Sequence, residues 1–430
     1  MAWKKTDDLT KYGILLTPET KKIPLGNTNL DYEIYKIPLE KLKYNSSNGR
    51  IFMEMQRLKA VGDVDIKELE QTDVEQFNDE IENLIWESAP DKNEVTMEDI
   101  EKYTQLESGV VLDDGTVIDG NRRFTCLRRL HAKYPLDENF KYLKAAIIFQ
   151  DGSAITKKDI KRYELKVQYG KDEKVAYKAV NFAMSLYQEI KSGTFSIQEI
   201  AENVNKKPSD ITKIVQTCEL VEDFLEYLNR PGQLYVAEEL NIYWPLEPLA
   251  AYLNGPDGAK LSEVEKIKRK HLFYDYMMTI DIALPTQEFR DNLIKLIFKD
   301  EILWKELSDE YEAQEGEVVN NELVQSEESP EEFVQHVKEF RKNNDTSKKI
   351  ERRYKNKVDK KKMQKLENAP IALCDEIIDR LKQINLQPYL DATSTLADEK
   401  LRTIKAKLDN AAQWIEDIEE KIKKKINFDE

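Results

Sequence analysis

The residues best suited to chemistry lie in one stretch, Asp113–Leu130, DDGTVIDGNRRFTCLRRL, where a glycine turn is followed at once by two adjacent arginines. Gly120 lets the backbone approach a ligand closely. The N–H groups and dipole of a helix starting at this point favour an anion. Arg122 and Arg123 add fixed, forked donors that match phosphate oxygens. Such a set suits a nucleoside triphosphate, and it is equally compatible with an ordinary turn whose arginines pair with surface acids. Other chemistries lack their residues. The three histidines (His131, His271, His336) give no basis for a zinc site or a Ser-His-Asp triad. The three cysteines (Cys126, Cys218, Cys374) are too far apart for metal spacing or a disulfide framework, so a reducing cytoplasm is the expected compartment.

The elements that would hold this turn can be read on either side of it. Residues 108–118, SGVVLDDGTVI, read as strand, Asp-Asp-Gly turn, strand. In 122–134, Phe124, Leu127 and Leu130 share one helical face. KAAIIFQ at 144–150 predicts a buried strand. Upstream, 31–44 carries short β-type runs that end in Asn-Ser-Ser-Asn-Gly. Residues 73–88 place Val74, Phe77, Ile81, Leu84 and Ile85 at helical spacing behind Asp73 as N-cap. Beyond residue 160 the pattern is almost entirely helical. Residues 173–193 read as a long amphipathic helix stopped by Gly193, and 195–228 as two short helices with a tight break and then a third.

Val117–Leu127, VIDGNRRFTCL, resembles the signature of the ParB/sulfiredoxin-like superfamily, in which a Gly-x-Arg-Arg turn opens a helix. IPLEKLKYNSSNGRI at 37–51 is similar to the family's first box, with Arg50 as its closing arginine. The helix at 73–88 and the sequence FSIQEIAENVNKKPSDITKIVQTCELV fall where the family has a helix and then a helix-turn-helix. The likeness covers about residues 31–230. It implies that Gly120, Asn121, Arg122 and Arg123 line the phosphates of CTP or ATP with Mg2+, that Asp119 shapes the turn, and that Arg50 sits beside the pocket. It also implies a recognition helix from Ser209 to about Cys218, with Lys206, Lys207, Ser209, Thr212, Lys213, Gln216 and Thr217 facing DNA. Two departures stand out. The family's Glu-Asn-x-x-Arg box is absent from LKVQYGKDEKVAYKA (165–179), where Gln168, Lys171 or Glu173 stand nearest. Asn121 also occupies the place of the sulfiredoxin cysteine, so sulfinic-acid reduction is not expected and Cys126 reads as core.

The expected fold class is α+β: a small mixed ParB/sulfiredoxin-like domain over 1–160, then a mostly helical remainder. The expected divisions are 161–308, with the helix-turn-helix at about 195–220; an acidic linker, 309–340; and a helical region, 341–430. The linker rests on Asp309–Glu332, which has ten acidic residues and no basic one, with Gly316 and Pro330. Arg341–Lys365 then carries twelve Lys/Arg against three acids, so the runs nearly cancel at −10 and +9. No apolar run approaches the ~18–20 residues that span a bilayer, and the first residues, MAWKKTDDLTKYG, lack a signal-peptide stretch. A net charge of −16 makes any DNA grip weak and local. The leading expectation is nucleotide-dependent DNA binding by a ParB-like protein of a bacterium, phage or mobile element. Homodimerisation and a protein partner on the C-terminal helices remain open. The rival expectations are a ParB-fold ATPase, kinase or nuclease in phage defence, and an interaction module with a degenerate pocket.

Overall fold

The computed structural model describes residues 2–25, 28–46, 48–61, 66–150, 155–169, 179–281, 285–314, 316–324, 328–390 and 395–426. It divides into two units, Met1–Val358 and Asp359–Glu430. The first unit opens with β1 (Leu15–Leu25), β2 (Thr28–Pro38) and β3 (Lys43–Tyr44). Helices α1 (Phe52–Val61), α2 (Ile66–Thr72), α3 (Val74–Ser88) and α4 (Pro90–Tyr103) follow. The hairpin β4 (Gly109–Leu112) and β5 (Thr116–Asp119) leads into α5 (Asn121–Lys133), β6 (Tyr142–Ile148) and α6 (Lys157–Tyr169). The six strands lie in the order β1-β2-β6-β4-β5-β3, with the β4–β6 and β3–β5 pairs parallel and the others antiparallel.

Strand alternation sorts the core into two layers. Val111, Val117, Ala145 and Ile147 point to one face and pack with Phe77 and Ile81 of α3 and Phe124 and Leu127 of α5. Their neighbours Val110, Ile118, Ala146 and Ile148 point to the other face and meet Ile160 and Tyr163 of α6. The sheet is therefore covered on both sides, and the β5–α5 turn emerges at its end. The amphipathic reading of 73–88 matches α3, where the Asp73 side chain accepts the Gln76 N–H at 3.0 Å as N-cap. The strand β1 and the helix α4 carry no comparable signature in the sequence. β1, LLTPETKKIPL, holds two prolines and three charges, which an edge strand tolerates because one row of its backbone groups needs no partner.

The rest of this unit is helical: α7 (Ala179–Lys191), α8 (Ile197–Asn203), α9 (Pro208–Tyr227), α10 (Leu234–Glu239), α11 (Tyr243–Leu253), α12 (Glu263–Thr279) and α13 (Pro285–Glu288). A π-helical stretch, Phe289–Phe298, leads to α14 (Glu301–Gln314), α15 (Gly316–Val319), a second π-helical stretch at Asn320–Val324, α16 (Pro330–Asn343) and α17 (Asp345–Lys382). One core joins them, from Met53 and Val180 through Phe224, Tyr274 and Phe298 to Phe333, Tyr354 and Val358.

That core corrects two readings. The acidic stretch 309–340 is not a linker, because its described residues lie largely in helices and Tyr311, Leu323, Phe333, Val337 and Phe340 are buried. Its charges face solvent while a sparse apolar stripe faces inward. A division at 340/341 fails for the same reason: Ile350, Tyr354 and Val358, inside the basic run, belong to the same core. The third short helix expected within 195–228 is also absent, since α9 runs unbroken for 20 residues.

The second unit contains the end of α17, then α18 (Gln387–Leu390) and α19 (Thr395–Ile426). No helix among the described residues is long and apolar enough to cross a membrane.

Candidate functional site

The turn before α5 has the backbone the sequence suggests. Gly120 sits at φ 106°, a conformation L side chains rarely adopt, and α5 starts with no side-chain cap. The Gly120 carbonyl accepts the Phe124 N–H at 2.8 Å, which closes the first helical turn. Phe124 anchors that turn from beneath, fully buried and 4.6 Å from the ring of Tyr44.

Both arginines are engaged with the protein itself. Arg122 Nε donates to Asn93 Oδ1 at 2.8 Å. Asn93 is buried, and its Nδ2 donates to the Ile85 and Trp86 carbonyls at 2.9 and 2.8 Å, so Arg122 ties α5 to the α3–α4 corner. Arg123 pairs with Glu107 at 2.9 Å and with Asp119 at 3.2 Å. Asp119 is also 3.2 Å from Lys21 of β1. The Arg123 guanidinium lies over the turn, and a side-chain carbon at residue 120 would come within 3.3 Å of its Nη2. Asn121 is buried. Its Nδ2 donates to the Val117 carbonyl at 3.0 Å, while its Oδ1 has no hydrogen-bond partner among the described residues. A buried acceptor without a donor carries a desolvation cost of about 1–3 kcal/mol, which a donor on a bound molecule would relieve.

Beside α6 the segment 46–56 and α7 enclose a cleft of about 180 Å3, lined in part by Ser46, Asn48, Gln56, Lys161, Gln188 and Glu189. Asn45 Nδ2 donates to Glu164 at 3.0 Å, and Lys161 lies 3.2 Å from both Glu164 and Glu189. Burial opposes the charge of Lys161, but the two carboxylates outweigh it and hold its pKa above the ordinary value. This polar cluster is not evident from the sequence; its one local trace is Glu164 set between the buried Tyr163 and Leu165. Arg50 belongs to the 3-10 turn Gly49–Ile51 at the edge of this region, and its side chain lies outside the described residues. The same holds for the side chain of Gln168 and for Lys171 and Glu173. Cys126 is core, as its position suggests, with its thiol pushed up to about 12 by burial.

The helix pair α8–α9 is built separately. Ser196 and Glu199 form a reciprocal capping box at the start of α8. Asn205 turns the chain at φ 53°, and Pro208 opens α9. Phe195, Ile200, Ala201, Val204 and Ile211 close the angle between the two helices against Leu165 and Leu186. Lys206, Lys207, Ser209 and Lys213 are exposed, and Thr212 and Gln216 are half-buried; Lys206 and Lys207 lie in the turn before α9 and the other four on its first half. Lys206 sits 5.7 Å from the Phe182 ring, and Lys213 is 4.0 Å from Asp210. Thr217 is the exception: it is buried, and its hydroxyl donates to the Lys213 carbonyl at 2.9 Å, so it offers nothing to a groove.

Comparison of the sequence with known protein families and with curated proteins returned no match.

Proposed function

We propose that the chain is a ParB-like, nucleotide-dependent DNA-binding protein. The observation that carries this reading is the polar, basic start of α9, where Ser209 and Lys213 stand exposed on a helix packed against α8 and Lys206 and Lys207 stand exposed in the turn before it. A helix presented this way can enter a major groove with its first turns foremost. The uncapped start of α5 at Gly120, with Arg122 and Arg123 beside it and the buried Asn121 Oδ1 lacking a donor, supports a nucleotide at the turn. In this proposal Glu107 and Asp119 hold the place of the phosphates until the nucleotide displaces them from Arg123. CTP or ATP with Mg2+ is the ligand class.

A second reading, an interaction module with a degenerate pocket, draws on the same pairs. Both arginines already have protein partners, and the cleft by Lys161 is smaller than the ~300–1,000 Å3 of an ordinary ligand pocket. Titration of CTP, ATP, GTP and UTP with Mg2+ against the wild type and Arg123→Ala separates the two. The nucleotide reading expects one triphosphate to bind the wild type in the micromolar range and Arg123→Ala to weaken it at least tenfold. Equal, millimolar binding by both proteins overturns it.

A further inference from the structure

In α19 the residues Leu401, Ile404, Leu408, Ala411, Ile415, Ile418 and Ile422 recur at alternating spacings of three and four. This is the seam of a coiled coil, sustained over three heptads. The seam is largely uncovered: Leu408, Ile415, Ile418 and Ile422 are exposed at 36%, 44%, 51% and 52%. Leu366, Leu373 and Ile377 of α17, in the same unit, are exposed as well, so the two long helices do not cover each other. A stripe of this size left in water is a docking surface rather than ordinary surface texture.

The charges along α19 indicate what covers it. Residues 400–407 contain Lys400, Arg402, Lys405 and Lys407 and no acid, whereas 412–420 contain Glu416, Asp417, Glu419 and Glu420 and no base. A second α19 laid parallel would set base on base and acid on acid. Laid antiparallel with Leu408 opposite the partner copy's Ala411 position, it sets the basic 400–407 of each copy against the acidic 412–419 of the other, with Lys421, Lys423, Lys424 and Lys425 beyond that stretch. The same register brings Leu401 opposite position 418 and Ile404 opposite position 415, so every layer is apolar and the small Ala411 meets the larger Leu408. The shared seam, Leu401 to Ile418, is about 27 Å long at the rise of an α-helix.

We infer that a second copy of this chain covers α19, and that the full-length protein is an antiparallel dimer through this helix. The inference is independent of the nucleotide and DNA reading. The test uses the full chain. Light scattering coupled to size exclusion should give twice the 50.3 kDa chain mass for the wild type. It should give the chain mass for the double variant Ile415→Glu/Ile418→Glu, whose first unit, Met1–Val358, should melt as in the wild type because neither residue belongs to its core. Orientation is read in a Cys374→Ser background, which removes the exposed native thiol. Leu401→Cys and Ile418→Cys proteins, mixed and oxidised, should form the mixed disulfide, and neither alone should cross-link. A wild-type monomer at tens of micromolar, which is also the result if α17 of the same chain closes over α19, overturns the inference. So does a dimer that survives the double glutamate, or a Leu401→Cys protein that cross-links to itself.

Discussion

The starts of α5 and α9 both carry basic residues, and they differ in what those residues touch. At α5, Arg122 and Arg123 reach back into the protein, to Asn93, Glu107 and Asp119. At α9, Lys206 and Lys207 extend from the turn before the helix and Lys213 from its exposed side, 4.0 Å from Asp210, while the apolar side is packed. The sequences look alike, with basic pairs next to a glycine or proline turn. The difference comes from Asn93, Glu107 and Asp119, which bring an amide and two carboxylates to the start of α5. A basic helix start is thus a structural clamp where the tertiary fold meets it with acceptors, and an available surface where it does not.

Four substitutions break or sharpen this contrast. Phe124→Ala removes the fully buried anchor beneath the α5 start and should cost about 3–5 kcal/mol, read as a large fall in the urea midpoint. Arg122→Ala leaves buried Asn93 Oδ1 without its donor. It should cost about 1–3 kcal/mol in the same assay; an unchanged midpoint would show that the clamp contributes nothing. Gly120→Ala forces a side chain into a left-handed backbone and should cost about 1–2 kcal/mol, with the Arg123 guanidinium obliged to shift. At the other start, Lys213→Glu should leave the melting temperature within experimental error, since the side chain is exposed. Its effect should appear only in DNA affinity, and should shrink as salt screens the phosphate contribution.

The same contrast explains what the sequence made legible. Asp73 as N-cap, the Asp-Asp-Gly hairpin and the Phe124, Leu127, Leu130 face are local patterns, and each matches the structure. The strand β1 was not legible, because prolines and lysines mask any alternation and its pairing with β2 supplies the order. The helices within 309–340 were hidden by the density of glutamates, although Phe333, Val337 and Phe340 keep helical spacing beneath them. The residues of the α5 turn, Asp119 among them, could be named from the sequence; the partners Asn93 and Glu107 could not. Asn93 lies 29 residues from Arg122 and is brought to it by the packing of α4 on α5; Glu107 lies 16 from Arg123 and reaches it from the segment between α4 and β4.

The central claim is that the start of α9 grips DNA under nucleotide control. Its most direct test is the anisotropy of a labelled duplex pool at about 50 mM salt, where phosphate contacts are strongest, with and without CTP or ATP and Mg2+. Wild type is compared with Lys206→Ala/Lys207→Ala/Lys213→Ala. The account predicts that the wild type binds, that nucleotide changes its affinity, and that the triple variant loses at least tenfold while melting as the wild type does. Absence of binding by the wild type in every nucleotide state, or equal binding by the triple variant, would contradict it.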